Sequence, residues 1–154
     1  MALFISTFTN KIDAKGRLSV PAPFRAALAN QPFQGIVLFK SYRLPALEGC
    51  GIDRMAQLSN SVDQLDLFSE DQDDLAATLF ADAHQLPFDS DGRVLLPEGL
   101  RAFAGIETQA AIVGRGATFQ IWEPKAFQSH QEKARERLRQ RGATLKLQKQ
   151  GENG

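Results

Sequence analysis

The chain contains an internal repeat. Sliding its sequence against itself by 76 positions lays residues 8–40 over residues 84–116 without a gap, and eight of the 33 aligned positions are identical. Average composition gives about two such identities by chance. The matches are Asp13/Asp89, Gly16/Gly92, Arg17/Arg93, Pro21/Pro97, Arg25/Arg101, Ala26/Ala102, Ile36/Ile112 and Val37/Val113. Each copy therefore reads Asp-x-x-Gly-Arg, then a proline, then Arg-Ala, then a short apolar run.

These strings predict the same supersecondary unit twice: a strand, a tight turn, a short returning strand, one helix and a buried strand. In Asp13-Ala14-Lys15-Gly16 and Asp89-Ser90-Asp91-Gly92 the aspartate can accept from the backbone N–H two residues on, and the glycine takes the left-handed position that closes the turn. Residues 18–20 and 94–96 read as returning strands, with Pro21 and Pro97 at helix starts. Phe24, Ala27 and Leu28 in one copy, and Leu100, Phe103 and Ala104 in the other, share a helix face, and Gly105 supplies a C-terminal cap. Residues 36–39 and 110–113 are runs of buried-strand type, whereas residues 118–122 alternate as a half-buried strand.

Two units of this size bury little alone and expose strand edges, so they are expected to close on each other. The expected architecture is α+β: two pseudo-symmetric hairpin units forming one small closed or nearly closed barrel, with flanking helices. The expected divisions are residues 3–50 and 81–123 for the repeats, with an acidic helical linker at 51–80 containing helices near 52–58 and 73–83. A basic helix over 124–141 and a disordered tail over 142–154 complete the chain.

With 154 residues, 43% of them hydrophobic, the chain is long enough to fold without disulfides or a structural metal. Its apolar runs fall far short of the roughly 18 residues of a membrane span. The first residues lack the charged and apolar regions of an export signal, so a cytoplasmic location is expected. Net charge is zero, but it is distributed in blocks. Residues 1–43 hold six cations against one anion, net +5, and residues 44–80 hold one cation against eight anions, net −7. Residues 81–122 are net −2, and residues 123–154 are net +4. Such a chain either pairs its charges across the fold or presents one basic face to a polyanion.

Candidates for catalysis are few. Cys50 has no neighbouring cation to activate it, and His84 and His130 lack partners in the sequence, so no enzyme activity, cofactor or small-molecule substrate is expected. The spacing Asp89-x-Asp91-Gly92 with Glu98 matches much of a calcium loop. Its first ligand position, however, is Pro87, which offers no side-chain oxygen, so no metal is expected. The arginines remain. Arg17 and Arg93 sit beside the turn glycines, with Lys15 and Lys11 near the first. A guanidinium there either reaches outward to phosphate or to guanine O6 and N7, or folds back onto the aspartate four residues earlier.

Taken together, the two Asp-x-x-Gly-Arg turns, the string of residues 10–25 (NKIDAKGRLSVPAPFR) and Phe119-Gln120-Ile121-Trp122-Glu123 resemble the MraZ family of bacterial proteins over about residues 3–140. The resemblance implies AbrB-like swapped-hairpin units, a ring-shaped homo-oligomer, and binding of double-stranded DNA at direct repeats in a promoter. It also implies regulation, usually repression, of the division and cell-wall operon that includes the protein's own gene, and nucleoid association. The implied DNA-binding residues are Arg17 and Arg93, supported by Lys15 and Lys11 and flanked by Arg25 and Arg101. Asp13, Gly16, Asp89 and Gly92 hold the turns. The chain departs from the family around Ile5-Ser6, where many members carry glycine, and at Asp91, which makes the second turn less basic. An antitoxin-like or scaffold module binding another protein, with the acidic stretch 63–74 as contact surface, is the alternative.

Overall fold

The computed structural model of the protein describes residues 2–148. Contacts divide the chain into two compact units, Met1–Pro124 and Lys125–Gly154. The first unit holds β1 (Thr7–Lys11), β2 (Arg17–Ser19), α1 (Ala22–Ala27), β3 (Gly35–Lys40), β4 (Leu47–Cys50), α2 (Ile52–Asp63), α3 (Glu70–Ala76), β5 (His84–Pro87), β6 (Arg93–Leu95), α4 (Glu98–Ala104), β7 (Gln109–Gly114) and β8 (Phe119–Trp122). A π-helical turn, Ala77–Ala81, extends α3. The chain then enters α5 (Pro124–Arg141).

The repeats exchange their first strands. β1 of the first repeat pairs with β7 of the second, and β5 of the second pairs with β3 of the first, all antiparallel. Their sheet runs β1-β7-β8-β4-β3-β5, with its pseudo-twofold between β8 and β4, and a second ladder joins β2 to β6 with Leu18 opposite Val94. The repeat offset is not constant along the chain. Phe8 faces Ile112, whereas its counterpart His84 faces Leu38, so Leu38 rather than Ile36 is the structural equivalent of Ile112. The connection into β7 explains this slip of two: α4 is one residue longer than α1, but residues 105–108 after it are three fewer than residues 28–34, and Gly105 ends α4 sharply at φ 67°.

The expected α+β class is present, but the small barrel is not closed. The six-stranded sheet keeps two edges, β1 and β5, and only the Ile12–Leu18 bridge and a side-chain bond from Asn10 Nδ2 to Ser19 O, among the described residues, tie the end of β1 to β2 of the ribbon beyond the turn itself. Past the Ile12–Leu18 bridge β2 leaves β1 and pairs with β6 of the other repeat.

One core is shared by both repeats. Phe4, Phe24 and Phe119 come from three distant segments, and each of the first two pairs meets edge-on, at centroid distances of 5.0 Å for Phe4–Phe24 and Phe4–Phe119. Such aromatic pairs add about 0.5–1.5 kcal/mol beyond area burial. β3 is buried on both faces: Ile36 and Leu38 enter this core, while Val37 and Phe39 join Cys50 and Met55 beneath α2. Phe24, Leu28, Leu100 and Ala104 are buried as expected, but Phe103 is 39% exposed.

Two other expectations change. Residues 118–122 do not alternate, because β8 is buried throughout. Hydrogen bonds make this tolerable: Trp122 Nε1 donates to Gln120 Oε1 at 2.8 Å, and Gln120 Nε2 donates to the Glu48 carboxylate at 3.0 and 3.1 Å. The linker helices differ from expectation: α2 continues to Asp63, and α3 begins at Glu70 with its π-helical extension ending at Ala81 rather than 83. In the second unit, α5 ends at Arg141, and residues 143–148 carry no helix or strand; residues 149–154 of the expected tail lie outside the described residues. No helix among the described residues is long and apolar enough to cross a membrane.

Candidate nucleic-acid interface

Each turn is organised by its aspartate. Asp13 Oδ1 accepts from the backbone N–H groups of Lys15 at 3.0 Å and Arg17 at 2.8 Å, while Asp13 O accepts from Gly16 N at 3.0 Å. Asp89 does the same for Asp91, Arg93 and Gly92 at 2.9, 2.9 and 3.0 Å. Gly16 and Gly92 hold φ of 85° and 74°, in the left-handed region where glycine alone is unstrained. The backbone bond from Arg17 is the main force holding the Asp13 carboxyl below its ordinary 3.8, and that from Arg93 does this for Asp89.

Both arginines fold back on their own turn aspartates through Nε. Arg17 Nε lies 2.6 Å from Asp13 Oδ2 and Arg93 Nε lies 2.9 Å from Asp89 Oδ2. The planar fork leaves the terminal nitrogens to differ between copies. Arg93 Nη2 meets Asp91 Oδ2 at 3.2 Å, whereas the position equivalent to Asp91 is Lys15, and no hydrogen bond among the described residues engages the terminal nitrogens of Arg17. The arginines are half-buried rather than fully projected.

The β2–β6 ladder brings the two turns together. Leu18 and Val94 point inward, so Arg17, Ser19, Arg93 and Leu95 form its outer face. Arg17 stands opposite Leu95 and Arg93 opposite Ser19, which makes the arginines diagonal neighbours, a relation that spans about 7–8 Å. Lys15, Arg17 and Arg93 rim one groove of about 740 Å³ whose floor includes Pro87, Phe88 and Leu95. Lys11 is exposed at the end of β1.

Arg25 and Arg101 sit differently from the flanking positions expected of them. Each is half-buried beneath the turn of the other repeat: a Cβ at Gly92 would lie 2.6 Å from Arg25 Nε, and one at Gly16 would lie 3.8 Å from Arg101 Nη2. Arg25 Nε donates to Val20 O at 3.1 Å, while Arg101 Nε is buried without an acceptor. The backbone repeats this crossing, since Leu96 N donates to Gly16 O at 2.9 Å and Val20 N to Gly92 O at 3.1 Å. Leu95 was missed at the sequence level, although a signal existed: in Val94-Leu95-Leu96 the period of a strand sends the middle residue outward, and it is 60% exposed.

Cys50 and His84 form no dyad. Cys50 pairs with Val37 and His84 with the next residue, Leu38, so they occupy opposite faces of the sheet. Burial pushes the Cys50 thiol up to about 12, far from a nucleophilic thiolate at neutral pH.

The arrangement defines a class: a duplicated, strand-exchanged hairpin protein whose two aspartate-clamped turns meet on one short cationic ribbon. The chain belongs to the MraZ family. A family model described as "MraZ protein, putative antitoxin-like" matches residues 79–149. Relatives named transcriptional regulator MraZ align over nearly the whole chain. That of Rickettsia akari (strain Hartford) is 40% identical over 146 residues, covering 95% of this chain and 98% of its own. That of Gluconobacter oxydans (strain 621H) is 44% identical, with 90% and 87% covered, and that of Pelagibacter ubique (strain HTCC1062) is 41% identical, with 98% and 97% covered.

Proposed function

We propose that this protein is a DNA-binding transcriptional regulator that reads duplex DNA with the outer face of the β2–β6 ribbon. The observation that carries this reading is the meeting of Arg17, Arg93 and Lys15 around one groove on a two-stranded antiparallel ribbon. A ribbon of that kind fits the roughly 12 Å major groove, and guanidinium forks serve both phosphate and guanine edges. Arg17, Arg93, Lys15 and Lys11 are the contacting residues. Arg25 and Arg101 act from behind by supporting the opposite turn, and Asp13, Gly16, Asp89 and Gly92 keep the turns in shape. Membership of a family whose relatives are named transcriptional regulators supports the same reading.

The fuller picture is of AbrB-like swapped hairpins assembled as a homo-oligomeric ring in the cytoplasm, associated with the nucleoid. The ring represses the division and cell-wall operon containing its own gene through direct repeats in the promoter. Several copies on one ring gain avidity where repeat spacing matches protomer spacing. The test is a footprint on DNA upstream of the protein's own coding sequence. Protection should fall on repeated short boxes, and the logarithm of affinity should fall with that of salt by about 0.9 per phosphate contact. Absence of protection at low ionic strength overturns the reading.

A second reading, a protein-binding antitoxin-like or scaffold module, is favoured by Phe68, 97% exposed at φ 63° within the acidic stretch 63–74. None of the ion pairs among the described residues uses the carboxylates of that stretch. A partner retained from nuclease-treated lysate by the native chain, and lost with Phe68→Ser, distinguishes it.

A further inference from the structure

The outer face of the ribbon is not symmetric. Its arginines are the same residue in both repeats, but their cross-strand partners, which stand at equivalent positions, are not: Arg93 faces Ser19, and Arg17 faces Leu95. Leu95 is 60% exposed, with its Cδ1 3.6 Å from where a Cβ on Gly16 would sit, so it leans over the first turn beside Arg17. Pro87 and Phe88 continue the apolar floor of the groove around it, and Lys15, Arg17 and Arg93 supply its cationic rim. Asp89 lines the same groove. An exposed leucine between two arginine-bearing turns is out of place on a surface that binds only phosphate.

We propose that Leu95 is a specificity-determining residue that packs against the C5-methyl group of a thymine in the major groove, next to the base contacted by Arg17. This rests on the ribbon being the DNA-reading face. The major-groove edge of an A·T pair is the one edge of duplex DNA that offers an apolar group, and apolar side chains recognise it. The exposed Lys15 and the terminal nitrogens of Arg17, which no hydrogen bond among the described residues engages, fit the polyanion that carries such a methyl and favour DNA over an apolar peptide. The readout is then lopsided: the Arg17–Leu95 end of the ribbon distinguishes thymine from cytosine, and the Ser19–Arg93 end lacks that discrimination.

The test crosses a protein change with a DNA change, so that the two contributions separate. The native chain and Leu95→Ser, which places at 95 the residue found at the symmetric position 19, are titrated against the promoter fragment made with thymidine or with deoxyuridine throughout. Loss of one buried methyl contact weakens binding by about fourfold. The native chain is expected to bind the deoxyuridine fragment at least that much more weakly, and Leu95→Ser to bind both fragments alike. Equal weakening of both proteins, or no weakening of either, overturns the proposal. Leu95→Thr, which suits a strand and keeps a methyl, is run beside it with circular dichroism to expose any folding defect, and it should retain part of the discrimination. Failure of the native chain to bind the thymidine fragment at low salt instead refutes the DNA-reading function itself.

Discussion

Arg25 lies against Gly92, with its Nε, Cζ and Cδ 2.6–2.8 Å from the place a Cβ would occupy, so the helix of one repeat holds up the turn of the other. The mirrored contact is looser, because a Cβ at Gly16 would first meet Leu95 and Leu96 at 3.6 Å. Both glycines hold positive φ, so alanine at either costs about 1–2 kcal/mol from left-handed strain alone. Gly92→Ala must also displace the guanidinium that donates to Val20 O. Chemical denaturation is expected to show Gly92→Ala less stable than Gly16→Ala, with Arg25→Ala added to Gly92→Ala recovering part of the difference.

Arg17 and Arg93 should differ in how much they contribute. Arg17→Ala is expected to cost about 1–3 kcal/mol of promoter binding, the range of a good arginine–base contact, while leaving elution volume in gel filtration unchanged. Arg93 starts from a weaker position, since Asp91 already occupies its Nη2 at 3.2 Å. Asp91→Asn removes that competing carboxylate, so mobility-shift titration should show tighter binding and a steeper salt dependence.

The turn aspartates set an acid limit. Backbone N–H groups and the arginine favour the ionised forms, so Asp13 and Asp89 stay charged below 3.8 in the folded chain. Their contribution is complete above that ordinary value and is lost as pH falls through the lowered one. Side-chain carboxyl shifts in NMR should place both midpoints below 3.8, and the amide signals of Gly16 and Gly92 should move in step with them. Asp13→Asn should abolish the step at Gly16 only.

Ser6 holds φ of 80°, and its carbonyl accepts from Gly114 N at 2.8 Å, just before β1 enters the sheet. A left-handed serine carries strain that glycine does not, partly offset by the greater freedom of glycine in the unfolded chain. Ser6→Gly is therefore expected to stabilise the protein by about 0.5–1 kcal/mol in thermal unfolding.

Local chemistry was legible in the sequence and long-range geometry was not. The turns follow from Asp-x-x-Gly-Arg, since the bonds that the aspartate accepts to close them lie within five residues. The start of α3 was also legible and overlooked: Ser69 Oγ accepts from Gln72 N, and Gln72 Oε1 accepts from Phe68 N one residue before the cap, a variant of the capping pattern Ser-x-x-Gln. The equivalence of Ile36 with Ile112 failed because an ungapped comparison assumes equal connections, and the one before β7 is shorter. No periodicity reports that Arg25 lies under Gly92, because that contact belongs to the packing of one repeat on the other.

Strand exchange has a price for adaptability. Because β1 completes the second repeat and β5 the first, and because each helix arginine supports the opposite turn, neither recognition turn belongs to one repeat alone. Drift in either copy is felt at both ends of the ribbon, so on the proposed DNA-reading role a lineage acquiring a new operator must alter the two halves of the gene in concert.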